Sequence, residues 1–285
     1  MRLVSFQDSG GPRAGVLAGE GVVPVAALDA PATSVRGLLG ALDCAGLAAL
    51  GERAAAASEH MPFAEVRLLA PVPDPEKIIC LGLNYRDHAA ESGQEIPKAP
   101  MWFAKFANSL IGSGQEIVLP EAHPDYVDYE AELAIVIGRT ASNVDAAHAL
   151  DHVAGAMPFN DVSARDLQFQ NPLWTSGKAI DTFAPCGPAL VTLDEIDDLH
   201  ALGLRTRING ELVQEGNTSE LIFNVPETIA WLSRTLTLVP GDIIATGTPA
   251  GVGASNNRFL RDGDSVEVEV GGLGCLVNAV RSAHR

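Results

Sequence analysis

Acidic residues run straight into the longest uninterrupted apolar stretch of the chain: Asp128-Tyr129-Glu130-Ala131-Glu132 leads into Leu133-Ala134-Ile135-Val136-Ile137 before Gly138 ends it. So short an aliphatic run, closed by glycine, reads as a strand. A period of two then sets Asp128, Glu130 and Glu132 on one face, continued by Ala134 and Val136, with Leu133, Ile135 and Ile137 on the other. Carboxylates spaced at about 3.3 Å per residue repel one another, and burying them unpaired is costly. A divalent cation relieves both problems. Taken alone, an edge strand with an acidic solvent face gives the same pattern.

A second segment shifts the balance toward the cation. Asn160-Asp161-Val162-Ser163-Ala164-Arg165-Asp166-Leu167-Gln168 follows the apolar Val153 to Phe159. It adds a third carboxylate, Asp161, at a strand end, and Arg165 and Gln168 on a short helix beyond it. Carboxylate oxygens without nearby Cys or His favour a hard ion, Mg2+ or Mn2+. In Asn84-Tyr85-Arg86-Asp87-His88-Ala89-Ala90-Glu91-Ser92-Gly93, Asn84 can cap a short helix and Gly93 can end it. His88 and Glu91 then share a face at i and i+3, the arrangement of a general base and its orienter, although most such pairs are ordinary surface pairs. Lys178 follows Gly177 in a loop and draws interest only from its company.

The remaining sequence sets the frame. Residues 1–70 read as a small unit, with strands near Leu3–Phe6 and Gly21–Val25 and a helix over Ala45–Ala57. The run Pro71-Val72-Pro73-Asp74-Pro75 reads as a linker, because proline lacks the donor and restricts its predecessor. Residues 71–285 are strand-rich, with a hairpin at Asn209-Gly210, alternating Val266, Val268 and Val270, and a helix opening at Pro226. Strands do not alternate with long helices, so a doubly wound or barrel sheet is disfavoured and an α+β, β-rich fold with a curved mixed sheet is expected. The formal charge of −17 and pI near 4.7 argue against nucleic acid. No segment approaches the roughly 20 apolar residues of a membrane helix, and the N-terminus lacks a signal-peptide core, which points to the cytoplasm. Cys44, Cys80, Cys186 and Cys275 are too scattered for a disulfide frame and read as core filling. No Walker loop, His-Glu-x-x-His or Gly-x-Ser-x-Gly is present, and the glycine-rich Gly247–Gly253 reads as a flexible turn.

Seven motifs occur in order: Leu83-Asn84-Tyr85-x-x-His88-x-x-Glu91, Phe103-x-Lys105, Asp128-Tyr129-Glu130-x-Glu132-Leu133, Asn160-Asp161-x-Ser163-x-Arg165-Asp166-x-Gln168, Gly177-Lys178-x-x-Asp181, Gly216-Asn217-Thr218 and Thr246-Gly247-Thr248-Pro249. Together they resemble the fumarylacetoacetate hydrolase family, in its shorter, acylpyruvate-hydrolase-like branch. The resemblance implies a mixed β-sandwich roll preceded by a small N-terminal domain, assembled as a homodimer. It implies Mg2+ or Mn2+ on Glu130, Glu132 and Asp161, and a small 2-oxo acid substrate whose carboxylate lies near Thr248. It also implies a His88–Glu91 dyad, with Arg165, Gln168 and Lys178 as donors to the developing oxyanion. The implied activity is hydrolysis of a carbon–carbon bond in an acylpyruvate through a metal-stabilised pyruvate enolate. Relatives with the same site decarboxylate oxaloacetate or isomerise hydroxymuconate-type diacids, and a binding protein without turnover is the remaining alternative. Ser92–Ala99, just beyond the dyad, would serve as a lid.

Overall fold

The structure is a computed structural model describing residues 1–58 and 60–283. Its spine is an eleven-stranded sheet. In spatial order the strands are Met61–Pro62, Gly21–Pro24, Gly11–Ala18, Arg2–Asp8, Leu190–Thr192, Val153–Asn160, Ala131–Ile137, Ile243–Ala245, Ile78–Gly82 and Met101–Lys105, with Leu68–Leu69 added onto Arg2–Asp8. Ile243–Ala245 and Ile78–Gly82 run parallel, whereas their neighbours pair antiparallel. A five-stranded sheet orders Glu211–Asn217, Gly203–Ile208, Ser265–Val270, Gly274–Ser282 and Ile117–Leu119.

Period-two alternation makes this a sandwich. Leu133, Ile135 and Ile137 pack with Leu204, Ile208, Val266, Val268 and Leu276 of the smaller sheet. Ala134 and Val136 turn the other way, into a core shared with Leu38, Leu47 and Leu50. Those leucines come from the helices Val35–Ala41 and Cys44–Ala55, capped by Ser34 and Asp43. Both faces of Ala131–Ile137 are therefore buried, and the strand lies between two others. An acidic edge strand facing solvent does not describe it.

Several expectations are met locally. Asn209 and Gly210 turn the hairpin with φ of 53° and 81°, Ser265–Val270 alternates buried and half-buried residues, and Val225–Ser233 is a helix with Pro226 in its first turn and a capping box from Asn224 and Glu227. Other details differ. The strand Gly11–Ala18 was not anticipated, and the N-terminal strands join the large sheet directly, with Arg2 opposite Val191 and Leu3 opposite Leu190. All four cysteines are free, but only Cys80 and Cys186 are buried; Cys44 and Cys275 are exposed and fill no core.

Candidate active site

Strand register brings the carboxylates together. Val153–Asn160 pairs with Ala131–Ile137 so that Asn160 faces Ala131, which leaves Asp161 and Glu130 opposed just past the paired end, joined by Asp161 N donating to Glu130 O at 2.9 Å. Glu132, opposite Phe159, follows two residues on. One oxygen each of Glu130, Glu132 and Asp161 lies within 4.8 Å of the others, and all three residues are buried. Asp128 does not share this face. The strand breaks at Tyr129-Glu130, and the Asp128 carboxylate instead accepts from Gly253 N at 2.7 Å, Ala254 N at 2.9 Å and Arg165 Nε at 2.8 Å.

Buried cations interleave with these anions. Lys178 Nζ bridges Glu130 at 2.8 Å and Asp161 at 2.7 Å, Lys105 donates to Asp161 and to Val162 O, and Arg165 reaches Glu130 at 2.7 Å and Gln168 Oε1 at 2.9 Å. Burial alone would raise the Glu130 carboxyl, but Lys178 and Arg165 outweigh it and hold it down at about 2. Burial, reinforced by Asp161 and Glu130, pushes Glu132 well above the usual carboxylate range. Burial opposes the charge on Lys178, yet Asp161 and Glu130 keep its ammonium above its ordinary value. Glu132 Oε2 accepts from Gly247 N at 2.9 Å, while Oε1 is buried without a partner among the described residues. A buried carboxylate oxygen without a partner, on one of three clustered carboxylates, suits a hard divalent cation, so the donor set fits Mg2+ or Mn2+.

The helix Arg86–Glu91 carries the dyad candidates, with His88 Nδ1 at 3.3 Å from Glu91 Oε2. Asn84 does not cap it. Its amide instead donates to Phe223 O and Thr246 O and accepts from Phe223 N, while Gly93, at φ 65°, follows the helix end as expected. The Gly247–Gly253 segment is not a free turn. Gly247, Gly251 and Gly253 donate backbone N–H groups to Glu132, Glu91 and Asp128 respectively. Gly247 has φ 97°, a conformation that side chains disfavour, and a Cβ there would come within 2.9 Å of Asn84 Cβ.

A cavity of about 330 Å³ opens beside this assembly, lined by His88, Glu130, Arg165, Gln168, Lys178 and Thr248 among others. Glu132, Asp161 and Glu91 are not among its lining residues; Glu91 contacts His88 and Gly251. The Thr248 hydroxyl donates to Ala131 O at 2.9 Å and accepts from Gln214 at 2.7 Å, so its donor is already committed. Sequence reading gave no role to Lys105, Asp128 or Gln214, all buried in this assembly; the first two occur in the quoted motifs, and Gln214 carried no signal.

Residues 77–281 match the family described as Fumarylacetoacetate (FAA) hydrolase C-terminal, and residues 1–71 match Rv2993c-like, N-terminal. The chain belongs to the fumarylacetoacetate hydrolase family. It is one of the family's enzymes, a group that includes hydrolases, isomerases and tautomerases. An oxaloacetate tautomerase of Xenopus laevis, named as mitochondrial, is 44% identical over 98% of this chain and 90% of its own length. Maleylpyruvate hydrolase from Sphingobium sp. SYK-6, solved with manganese(II) and pyruvate, is 33% identical over the whole of both chains at a TM-score of 0.84. A 5-carboxymethyl-2-hydroxymuconate delta-isomerase from Mycobacterium smegmatis is 36% identical over the whole of both chains, with a TM-score of 0.79. Mitochondrial naming among relatives means that a cytoplasmic placement is not common to the family. Among the described residues, no helix is long and apolar enough to cross a membrane.

Proposed function

We propose that this family member converts a 2-oxo acid through its enolate, and that its reaction is cleavage by water of the carbon–carbon bond joining the acyl group of an acylpyruvate-type 2,4-dioxo acid. The observation that carries the reading is that His88, paired with Glu91, and Glu130, one of three clustered carboxylates of which Glu132 has an oxygen without a partner among the described residues, line one cavity. Glu130, Glu132 and Asp161 would hold Mg2+ or Mn2+, which when bound supplies Lewis acidity to the 2-oxo acid head. Glu91 orients the His88 ring, and His88 takes a proton from the water that attacks the acyl carbonyl. Arg165 and Lys178 place positive charge where electrons gather on substrate oxygen, and Gln168, whose Oε1 is taken by Arg165, offers its amide N–H groups. The proton on His88 then goes to the carbon that the broken bond leaves electron-rich, giving pyruvate and a carboxylic acid.

Tautomerisation is the second reading, favoured by the 44% identity to a protein named for that reaction. There His88 removes a proton from the carbon beside the 2-oxo group and no water attacks. Pyruvate release from acetylpyruvate, measured beside keto–enol conversion of oxaloacetate with Mg2+ or Mn2+ and again after chelation, tests both. Turnover of acetylpyruvate that chelation abolishes is expected. No conversion of either compound with either cation would overturn the enolate reading.

We also propose a homodimer. Met101–Lys105 ends the large sheet and leaves Met101, Trp102 and neighbouring Phe106 exposed, an edge that pairing would cover. Light scattering that finds a monomer at micromolar concentration in both low and moderate salt refutes it.

A further inference from the structure

The ladder between Ala131–Ile137 and Ile243–Ala245 stops short of the clustered carboxylates. Its last pair is Ala134 with Ala245, after which Thr246 N and Oγ1 both donate to Leu133 O and Gly247, at φ 97°, turns the chain away. Glu130 is engaged on the opposite side, its N–H donating to Asn160 Oδ1 and its O accepting from Asp161 N. Backbone groups of successive strand residues point to alternate neighbours, so Ala131, between Glu130 and Glu132, aims its N–H and C=O where the ladder has ended. Buried backbone groups left unpaired are costly, and no strand remains there to meet these.

Gln214 and Thr248 meet them instead. Gln214 Oε1 accepts from Ala131 N at 3.0 Å, and Thr248 Oγ1 donates to Ala131 O at 2.9 Å. Gln214 Nε2 donates to Thr248 Oγ1 at 2.7 Å, which closes a ring on one residue of the acidic strand. The rest of the amide is also used: Oε1 accepts from Thr206 Oγ1 at 2.9 Å, and Nε2 donates to Pro249 O at 2.9 Å. These partners fix which way the amide faces, because turned over it would set donor against donor at Ala131 N and acceptor against acceptor at Pro249 O. Gln214 comes from Glu211–Asn217 of the smaller sheet and is buried. That strand lies hard against the turn after Gly247: a Cβ at Gly216 would fall 2.4 Å from Pro249 Cβ, and one at Gly251 would fall 2.9 Å from Val213 O.

We propose that Gln214 is a positioning residue of the cation site: standing in for the missing ladder partner of Ala131, it sets the placement of Glu130 and Glu132 on either side and holds Thr248 to the same strand. The proposal rests on the cation reading above and deepens it. A side chain that merely ties the two sheets together contributes stability alone, whereas one that places ligands contributes cation affinity as well.

Mn2+ titration of the full chain by electron paramagnetic resonance, with thermal melts, tests it without turnover. Gln214→Leu keeps apolar bulk and removes every hydrogen bond of the amide; Gln214→Met, unbranched, is the second variant in case the first fails to fold. Either should weaken Mn2+ by about 10–100-fold, the usual cost of losing a group that orients ligands, and should alter the line shape of the bound ion. Thr206→Val is the control, since Thr206 donates to the same Gln214 oxygen. It leaves the ring on Ala131 intact, so it should lower the melting temperature while Mn2+ affinity stays within about threefold. Mn2+ affinity within about threefold of wild type in the Gln214 variants overturns the proposal. An affinity loss in Thr206→Val equal to theirs also overturns it, by reducing the effect to general loosening. If the wild-type chain binds no Mn2+, the cation reading fails and this one with it; wild-type binding that the Gln214 variants retain defeats this one alone.

Discussion

Asp242 and Glu132 lie at opposite ends of one ladder, formed by Ile243–Ala245 against Ala131–Ile137, and both are fully buried. Asp242 is satisfied on both oxygens: Oδ1 accepts from Lys77 N at 2.9 Å, and Oδ2 accepts from Val239 N at 2.7 Å and lies 3.0 Å from Lys77 Nζ. Glu132 has one backbone donor, on Oε2, an Oε1 without a partner among the described residues, and a carboxylate that clusters with Glu130 and Asp161. An unpaired buried carboxylate oxygen costs about 1–3 kcal/mol or more, and on the proposed ligand set a cation at the Glu132 end would offset that cost, whereas the Asp242 end needs none.

Removing each carboxylate should separate the two ends most widely. Asp161→Ala or Glu132→Ala should abolish turnover and weaken Mn2+ by more than about a hundredfold, beyond the roughly 10–100-fold cost of disturbing groups that only support a ligand. Asp242→Asn should leave Mn2+ affinity within about threefold and lower stability by ~1–3 kcal/mol, because it leaves buried partners unpaired. Mn2+ titration by electron paramagnetic resonance, with thermal melts, reads both quantities. The comparison breaks if Asp242→Asn costs as much cation binding as Glu132→Ala.

Two histidine–carboxylate pairs sharpen the point. His88, held by Glu91, lines the cavity, whereas His123 Nδ1, 2.6 Å from Asp166 Oδ2, ties a loop to the short helix that carries Arg165. His88→Ala should lower kcat by about 10²–10⁴ with Mn2+ affinity unchanged, the usual range for a positioned base. His123→Ala should cost only a few-fold. Wild-type kcat in His88→Ala would move proton transfer to another group, and equal losses in the two variants would mean that position relative to the cavity does not matter.

Residue type and spacing made much of this legible. The i, i+3 placement of His88 and Glu91 needs only a short helix, and the alternation after Glu132 needs only a strand. Asp128 was misplaced because alternation assumes an unbroken strand, and nothing in Asp128-Tyr129-Glu130 announces the break that sends it to Arg165 and Gly253. The fastening of Glu132, Glu91 and Asp128 by Gly247, Gly251 and Gly253 was invisible because backbone N–H groups carry no side-chain signature. Lys105 sits in an apolar strand, and its partner Asp161 is distant in sequence, so only the folded register gives it meaning. The joining of Arg2–Asp8 to Leu190–Thr192 is non-local in the same way.

The smallest effect is in proton balance, and it tests the Glu132 end alone. In the cation-free protein, burial and the neighbouring carboxylates raise Glu132, so between its ordinary value near 4.5 and that raised value the folded chain binds more protons than the unfolded one. Stability should therefore fall as pH rises through that window. Glu130, which Lys178 and Arg165 hold at about 2 against the effect of burial, acts with the opposite sign: its contribution is present above 4.5 and is lost as pH falls toward about 2. On the proposed ligand set cation binding needs Glu132 ionised, so Mn2+ affinity should climb with pH across the Glu132 window. Calorimetry in two buffers of different ionisation enthalpy should then record release of up to about one proton per ion bound. Glu132→Gln should erase the release and flatten the cation-free stability slope, whereas Asp242→Asn should keep both. Proton release that persists in Glu132→Gln would assign the titrating group elsewhere in the cluster and remove the distinction between the two ends of the ladder.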